Sequence, residues 1–374
     1  MTVQERIAVP GPKKILALDG GGIRGILTIE ILAAIEKTLR EHVNKKDMVL
    51  ADYFDFVAGT STGAIISTCI SLGMPVDAIR KFYTDSGAEM FDKAFFLKLL
   101  HHKYSDEKLK GKLQEVIGKN TTLGSDKLKT LLLLVMRNAT TDSPWLVTNN
   151  PAAKYNRPER RQNPGDCNLD IPLWQLVRAS TAAPVFFPPE EVQFGKKKFI
   201  FVDGGITTYN NPAFAAFLTA TVEPYNVNWK TGEQEMLVVS VGTGVSPDAN
   251  ENLDASNMNL VYNASRIPSA LMLAASNEQD FLCRTFGRCV SGLPIDREVG
   301  DMIDKRGPVQ PKLFTYMRFN AELSRQGLND LGLSDINPKD VQKMDSVEHI
   351  NKLQRVGRAV GARYVTADCF SGFR

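Results

Sequence analysis

Ser61 stands at the centre of Gly59-Thr60-Ser61-Thr62-Gly63, and Asp203 heads the triplet Asp203-Gly204-Gly205. A serine with a glycine two residues away on either side fits a nucleophile elbow. There the chain turns so sharply from strand to helix that only small neighbours are accommodated. The hydroxyl is then presented at a helix N-terminus, where the helix dipole favours developing negative charge. Such a serine needs a base. The chain has four histidines, His42, His101, His102 and His349, and only the last follows Asp203, as a Ser–Asp–His order requires. His349 lies in the polar stretch Val347-Glu348-His349-Ile350, with no glycine turn, and is expected to be an exposed helix residue. The shortage of histidine points to a Ser–Asp dyad in which Asp203 accepts the proton of Ser61. An ordinary aspartate, with a pKa of about 3.9, would have to be raised by burial to do this near neutral pH.

A third segment, Asp19-Gly20-Gly21-Gly22-Ile23-Arg24-Gly25, satisfies G-x-G-x-x-G. A dinucleotide site would need an acidic residue at the end of a second strand about twenty residues on. Leu39-Arg40-Glu41 occupies that place and reads as helix surface, so an oxidoreductase is disfavoured, and it would leave the other two motifs unexplained. Successive backbone N–H groups of the glycine run can instead form a nest for a tetrahedral oxyanion, each donor stabilising the transition state by about 3 kcal/mol.

The elements that position these residues follow from periodicity. Lys13–Leu18 reads as a buried strand running into the glycines, and Leu27, Ile31, Leu32, Ile35 and Leu39 recur at helical spacing. The unit repeats: strand-like Tyr53–Ala58, a tight turn at Gly59–Gly63, and an apolar helix over Ala64–Leu72. Lys129–Arg137, Phe199–Val202 and Met236–Val241 read as further strands, the first as a central strand of a parallel sheet. Alternating strands and helices predict an α/β fold, a three-layer α/β/α sandwich with a mostly parallel central sheet and the glycine turns at strand C-termini. One domain over residues 1–374 is expected, with a motif-bearing core over about 13–244 and a C-terminal helical extension over about 245–374. That extension carries strand-like Leu313–Phe319 and a terminal helix near Val347–Val360.

Composition bounds the function class. The 374 residues are 43% hydrophobic and 23% charged, enough to bury a large core. A net charge of +3 is too small for a dedicated nucleic-acid binder, and suits either a soluble protein or mild attraction to an anionic membrane. Five scattered cysteines match no zinc spacing and read as reduced thiols in a cytoplasmic protein, so neither metal nor cofactor is expected. The N-terminal segment lacks the apolar core of a signal peptide, and the longest aliphatic run, Leu131–Met136, is too short to span a bilayer.

The ordered set DGGGIRG, GTSTG and DGG resembles the signature of patatin-like phospholipases, with support from Ala179–Pro184, Asn210-Asn211-Pro212 and Met236–Gly244. The resemblance runs from about Lys13 to Gly244. It implies Ser61 as nucleophile, Asp203 as proton acceptor, Gly20, Gly21, Gly22, Arg24 and Gly25 on the oxyanion loop, and calcium-independent release of fatty acids from glycerolipids. Membrane phospholipid would then be the substrate, met by peripheral contact with the inner membrane. Tyr316–Asn320 and the final amphipathic helix are similar to stand-alone bacterial members. Among those are antiphage effectors switched on by cyclic oligonucleotides, which makes a cyclic dinucleotide activator and homo-oligomerisation further expectations. A ligand-gated signalling protein with a vestigial hydrolase site is the alternative; the intact Ser61, Asp203 and glycine loop argue against it.

Three weaker features have plain structural explanations. Phe91–Leu100, rich in Phe and Leu, reads as a core helix or as a lid that dips into lipid. Lys196-Lys197-Lys198 reads as a solvated hairpin turn or a headgroup contact, and Arg157, Arg160 and Arg161 as a surface loop or an anion contact.

Overall fold

Strand β1 (Lys13–Leu18) separates two cores. In the computed structural model, which describes residues 1–91, 104–157, 159, 166–184, 187–246 and 260–373, Ile15 and Ala17 enter one apolar cluster and Leu16 and Leu18 the other. Every one of these side chains is fully buried, so the strand is apolar on both faces, as strands covered on both sides are.

The described residues add β2 (Phe56–Thr60), β3 (Leu131–Asn138), β4 (Ser143–Thr148), β5 (Glu190–Phe194), β6 (Lys197–Asp203), β7 (Met236–Val241), β8 (Arg288–Ser291) and β9 (Thr315–Phe319). They form one nine-stranded sheet in the order β5-β6-β3-β2-β1-β7-β9-β8, with β4 also paired to β3. The run from β3 through β8 is parallel throughout, while β4 and the β5–β6 hairpin are antiparallel to their partners. Helices α1 (Gly25–His42), α2 (Thr62–Ser71), α3 (Val76–Phe91), α4 (Tyr104–Ile117) and α5 (Leu173–Ser180) supply the larger core on one face. On the other face lies α6 (Ala213–Thr221), near α7 (Leu260–Phe286). Helix α8 (Ile350–Tyr364) packs on α1, where Gly357 and Gly361 leave no room for a side chain against Leu27 and Ala34. The mostly parallel sheet between two helical layers is the arrangement expected from the sequence.

Strand β3 determines where the site forms. Residues 133–135 pair with β2 and β4 together, and residues 136–138 with β4 and β6 together. Because β4 fills one edge throughout, β2 and β6 share the other and meet head to head: Thr60 stands opposite Val135, and Asp203 opposite Met136.

Several elements differ from their sequence expectation. Tyr53 ends a helical turn, Leu50–Tyr53, and the strand begins at Phe56. It continues through Thr60, so the turn is confined to Ser61. Strand β3 is parallel only to β2, because its apolar run records burial and not the direction of its neighbours. The segment after residue 244 is not simply helical. Leu313–Phe319 does supply a strand, β9, as expected, and it lies beside β7 in the sheet; β8 is a strand not expected from the sequence. Lys196 does lie in a hairpin turn, but Lys197 and Lys198 open β6, where Lys198 pairs with Glu191. Residues 92–100 of the Phe91–Leu100 segment, and Arg160 and Arg161, lie outside the described residues; Arg157 Nε donates to the Ala152 carbonyl.

A buried ion network joins the late strands to the first glycine turn. Arg318 of β9 donates to Asp19 through Nη1 at 3.1 Å and Nη2 at 2.6 Å, and through Nη1 to Ser240 Oγ at 2.6 Å. Its Nε lies 3.5 Å from Asp280 of α7. Asp280 also accepts two bonds from Arg284, at 2.8 and 2.7 Å, and one from the Tyr316 hydroxyl at 3.0 Å. Although burial opposes its charge, Arg318 is held above its ordinary pKa by Asp19 and Asp280.

Removing one partner leaves the other charged and buried. Arg318→Ala should therefore lower unfolding free energy by about 3–5 kcal/mol, seen as a large drop in the urea midpoint. Glycines supply a contrast. A Cβ on Gly63 would meet the Leu18 carbonyl, while one on Gly111, inside α4, meets nothing within 4 Å. Gly63→Ala should cost about 1–3 kcal/mol, and Gly111→Ala should stabilise by about 0.5–1 kcal/mol, both measured by the same denaturation.

Candidate active site

Ser61 occupies the single residue between β2 and α2. Its φ of 55° and ψ of −122° lie in a region that costs a non-glycine residue of the order of 1–3 kcal/mol. The surroundings impose it. A side chain on Gly59 would strike the Gly63 carbonyl, and one on Gly63 the Leu18 and Asp19 carbonyls, so both elbow glycines are needed for close backbone approach. The Ser61 N–H donates to Ser180 Oγ at 2.9 Å, and Ser180 donates in turn to the Val135 carbonyl at 2.5 Å. Thr60 Oγ1 donates to the Tyr209 carbonyl, and Thr62 Oγ1 pairs with the Tyr83 hydroxyl. The two threonines thus anchor the elbow on either side.

Asp203 closes β6, and the shared edge of β3 brings it to the serine. Ser61 Oγ donates to Asp203 Oδ2 at 2.6 Å, while Asp203 Oδ1 accepts the Gly205 N–H at 2.6 Å. Gly204 fits because a side chain there would meet the Val135 carbonyl and Thr60. Only 4% of Asp203 is exposed. Burial pushes its pKa up to about 6, against the hydrogen bonds from Ser61 and Gly205 and the charge of Arg178. A carboxylate so placed is ionised at neutral pH yet basic enough to take a proton from an attacking hydroxyl.

The glycine loop lies against the serine: a Cβ on Gly20 would stand 3.2 Å from Ser61 Cβ. Its backbone donors are unequally committed. Gly20 N–H donates to the Asn210 carbonyl, Ile23 N–H to the Met344 carbonyl, Arg24 N–H to the Gly21 carbonyl, and Gly25 N–H back to Gly22 and Ile23. Among the described residues, the N–H groups of Gly21 and Gly22 carry no such bond, nor does that of Thr62 at the first turn of α2. These amides are the ones able to receive an oxyanion. Gly20, Arg24 and Gly25 lie on the loop as expected but serve its shape. Arg24 is buried, its pKa lowered by burial to about 10 in spite of Asp19, and it donates to the Gln342 carbonyl. Gly25 packs against Thr62.

His349 stands apart from the dyad; its Nε2 lies 3.4 Å from Asp340. Ser180, Asn210 and Arg318 lie in segments whose sequence pattern assigns them no role. Asn210 accepts from Gly20 through its carbonyl, places Oδ1 against Gly20 and Gly205, and donates from Nδ2 to Ser276 of α7 at 3.1 Å. Arg318 offered a signal, since a lone arginine inside the strand-like run Leu313–Phe319 calls for a buried acid. Ser180 and Asn210 offered none beyond their motifs, because their partners lie far away in sequence.

Among the described residues, no helix is long and apolar enough to cross a membrane.

Comparison with known proteins points to one family. A family model described as patatin-like phospholipase matches residues 16–217, the span that carries all three motifs. Patatin-T5 of Solanum tuberosum is 30% identical over 258 residues, covering 64% of this chain and 63% of the relative. Patatin-17 of Solanum cardiophyllum is 30% identical over 262 residues, with the same coverage. The chain thus spans 63% of the length of these relatives. The crystal structure of VipD from Legionella pneumophila overlaps 92% of this chain and 67% of its own, with a TM-score of 0.39 and 15% identity, too distant to bear on the site. With more than half of its residues matched by the family model, the chain belongs to the patatin-like phospholipase family.

Proposed function

We propose that the chain is a serine-dependent lipid acyl hydrolase of phospholipase A type, releasing fatty acids from membrane phospholipids through Ser61 and Asp203. The observation that carries this is the 2.6 Å hydrogen bond from Ser61 Oγ to Asp203 Oδ2. As Ser61 Oγ attacks the ester carbonyl carbon, its proton passes to Asp203. The carbonyl oxygen becomes an oxyanion that the free amides of Gly21 and Gly22 are placed to receive. Collapse expels the lysophospholipid alcohol, which takes the proton from Asp203, and leaves an acyl ester on Ser61. Water, deprotonated by Asp203, then attacks the acyl carbonyl; the fatty acid leaves and Ser61 regains its proton.

Two finer elements, a cyclic dinucleotide switch and a role in defence against phage at the inner membrane, rest on the family resemblance. Fatty-acid release from mixed phospholipid vesicles that appears only with a cyclic dinucleotide supports the switch. Full release without ligand rejects it.

Ser61→Ala and Asp203→Asn should each reduce vesicle hydrolysis by at least about 10³-fold with unchanged circular dichroism. Undiminished release from Ser61→Ala would reject the assignment. His349→Ala should keep near wild-type kcat/KM, and a large loss there would replace the dyad by a triad. Asp203 acts as base only when deprotonated, and its raised pKa makes it hold a proton up to a higher pH. Activity should therefore be full above pH about 6 and fall roughly tenfold per pH unit below it; a flat kcat/KM profile from pH 4.5 to 8 would contradict this.

A further inference from the structure

Helix α7 is turned inside out with respect to polarity. Its buried positions include Ser276, Gln279, Asp280 and Arg284, whereas Ile267, Ala270, Leu271, Ala274 and Phe281 are exposed. These residues fall at i, i+3, i+4, i+7 and i+14, a single face of the helix, which exposed Glu278 shares at its C-terminal half. Leu271 is 64% exposed, Ile267 50% and Phe281 40%. No charged residue occurs from Ile267 to Asn277. A helix on a water-soluble surface ordinarily shows the opposite pattern, and a contiguous exposed apolar face marks a binding surface.

The position of this face identifies its partner. Met272 reaches to within 3.3 Å of a Cβ built on Gly205, and Ser276 accepts the Asn210 amide that abuts the glycine loop. The turn Gly204–Ile206, directly after Asp203, packs on α7 and adds Ile206, 41% exposed. An apolar rim, interrupted by Glu278 alone among its described residues, thus lies immediately beside the serine and its base. We propose that the outer face of α7, together with Ile206, is the surface by which the protein seats on a phospholipid bilayer. Its aliphatic side chains enter the interfacial region while Ser61 faces the acyl esters. This rests on Ser61 acting on membrane lipid. Attraction to anionic headgroups is secondary, because the charged residue on this face, Glu278, is acidic and none lies between Ile267 and Asn277; apolar insertion provides the affinity. The buried polar side of α7, tied through Asp280 to Arg318 and Asp19, holds the docking face in fixed relation to the glycine loop.

The test uses the full chain in a Ser61→Ala background, so that vesicles survive the measurement. Co-sedimentation with phosphatidylcholine vesicles is compared for this protein and for versions also carrying Ile267→Glu and Leu271→Glu. The double substitution should lower the partition coefficient by at least roughly tenfold, with little change between neutral vesicles and vesicles containing phosphatidylglycerol. In the Ser61 protein the same pair should depress hydrolysis of vesicles while leaving that of a soluble short-chain p-nitrophenyl ester within about twofold, since both side chains are exposed. Leu271→Trp should show a blue-shifted emission on adding vesicles. Equal partitioning of the two proteins, or an unshifted Leu271→Trp spectrum, overturns the proposal. So does a change confined to oligomeric state, which would make the face a contact between two copies. Loss of vesicle binding without any esterase activity in the Ser61 protein would retain the docking face and reject the hydrolase assignment, so the two can fail separately.

Discussion

One edge of β3 is shared by two strands that approach from opposite directions. Strand β2 runs parallel to it as far as Val135, and β6 runs antiparallel to it from Asn138 back to Met136. Neither can extend without displacing the other, so both chains must leave the sheet at the same point. The departing residues are Ser61 and Asp203. Their 2.6 Å contact is therefore a consequence of strand pairing before it is a matter of side-chain choice. The Val135 carbonyl at the junction accepts from Ser180, which in turn holds the Ser61 amide.

The strain at Ser61 and the raised pKa of Asp203 have the same origin. Both follow from packing backbone against backbone, with Gly59 on Gly63, Gly63 on Leu18, and Gly204 on Val135. Close approach excludes water, and without water the Asp203 carboxylate is harder to ionise. Among the described residues, only Ser61 and Gly205 donate to it directly, with Arg178 contributing charge. Stronger ionic pairing would lower its pKa and make it a poorer base. A nearby carboxylate, Asp19, is equally buried and is gripped by both Nη atoms of Arg318; burial still holds its pKa above the ordinary value, and its bonds are spent on holding a loop.

That ion pair extends the site well beyond the motif-bearing segment. Asp19 begins the glycine loop, Arg318 comes from β9, and Asp280 comes from α7. The late part of the chain therefore sets the geometry of the first turn. The loop's amides are divided accordingly. Those of Gly20 and Ile23 bind carbonyls of Asn210 and Met344, which leaves Gly21 and Gly22, among the described residues, with uncommitted amides in a loop pinned on both sides.

The elbow, the glycine run and the Asp-Gly-Gly turn were legible in the sequence because each depends on residues adjacent in the chain. A glycine two positions from a serine records a steric limit that local backbone geometry imposes. The alternation of Ile15 and Ala17 with Leu16 and Leu18 likewise records two cores. The direction of β3's neighbours, the entry of β8 and β9 into the sheet, and the service of Arg318 to Asp19 were decided only by the tertiary structure. So were the division of amides along the glycine loop and the outward apolar face of α7. All but the last are pairings between residues far apart in the chain. Hydrophobic pattern reports that a side chain is buried or exposed but not against what. Only the assembled sheet determines which carbonyl or carboxylate stands opposite.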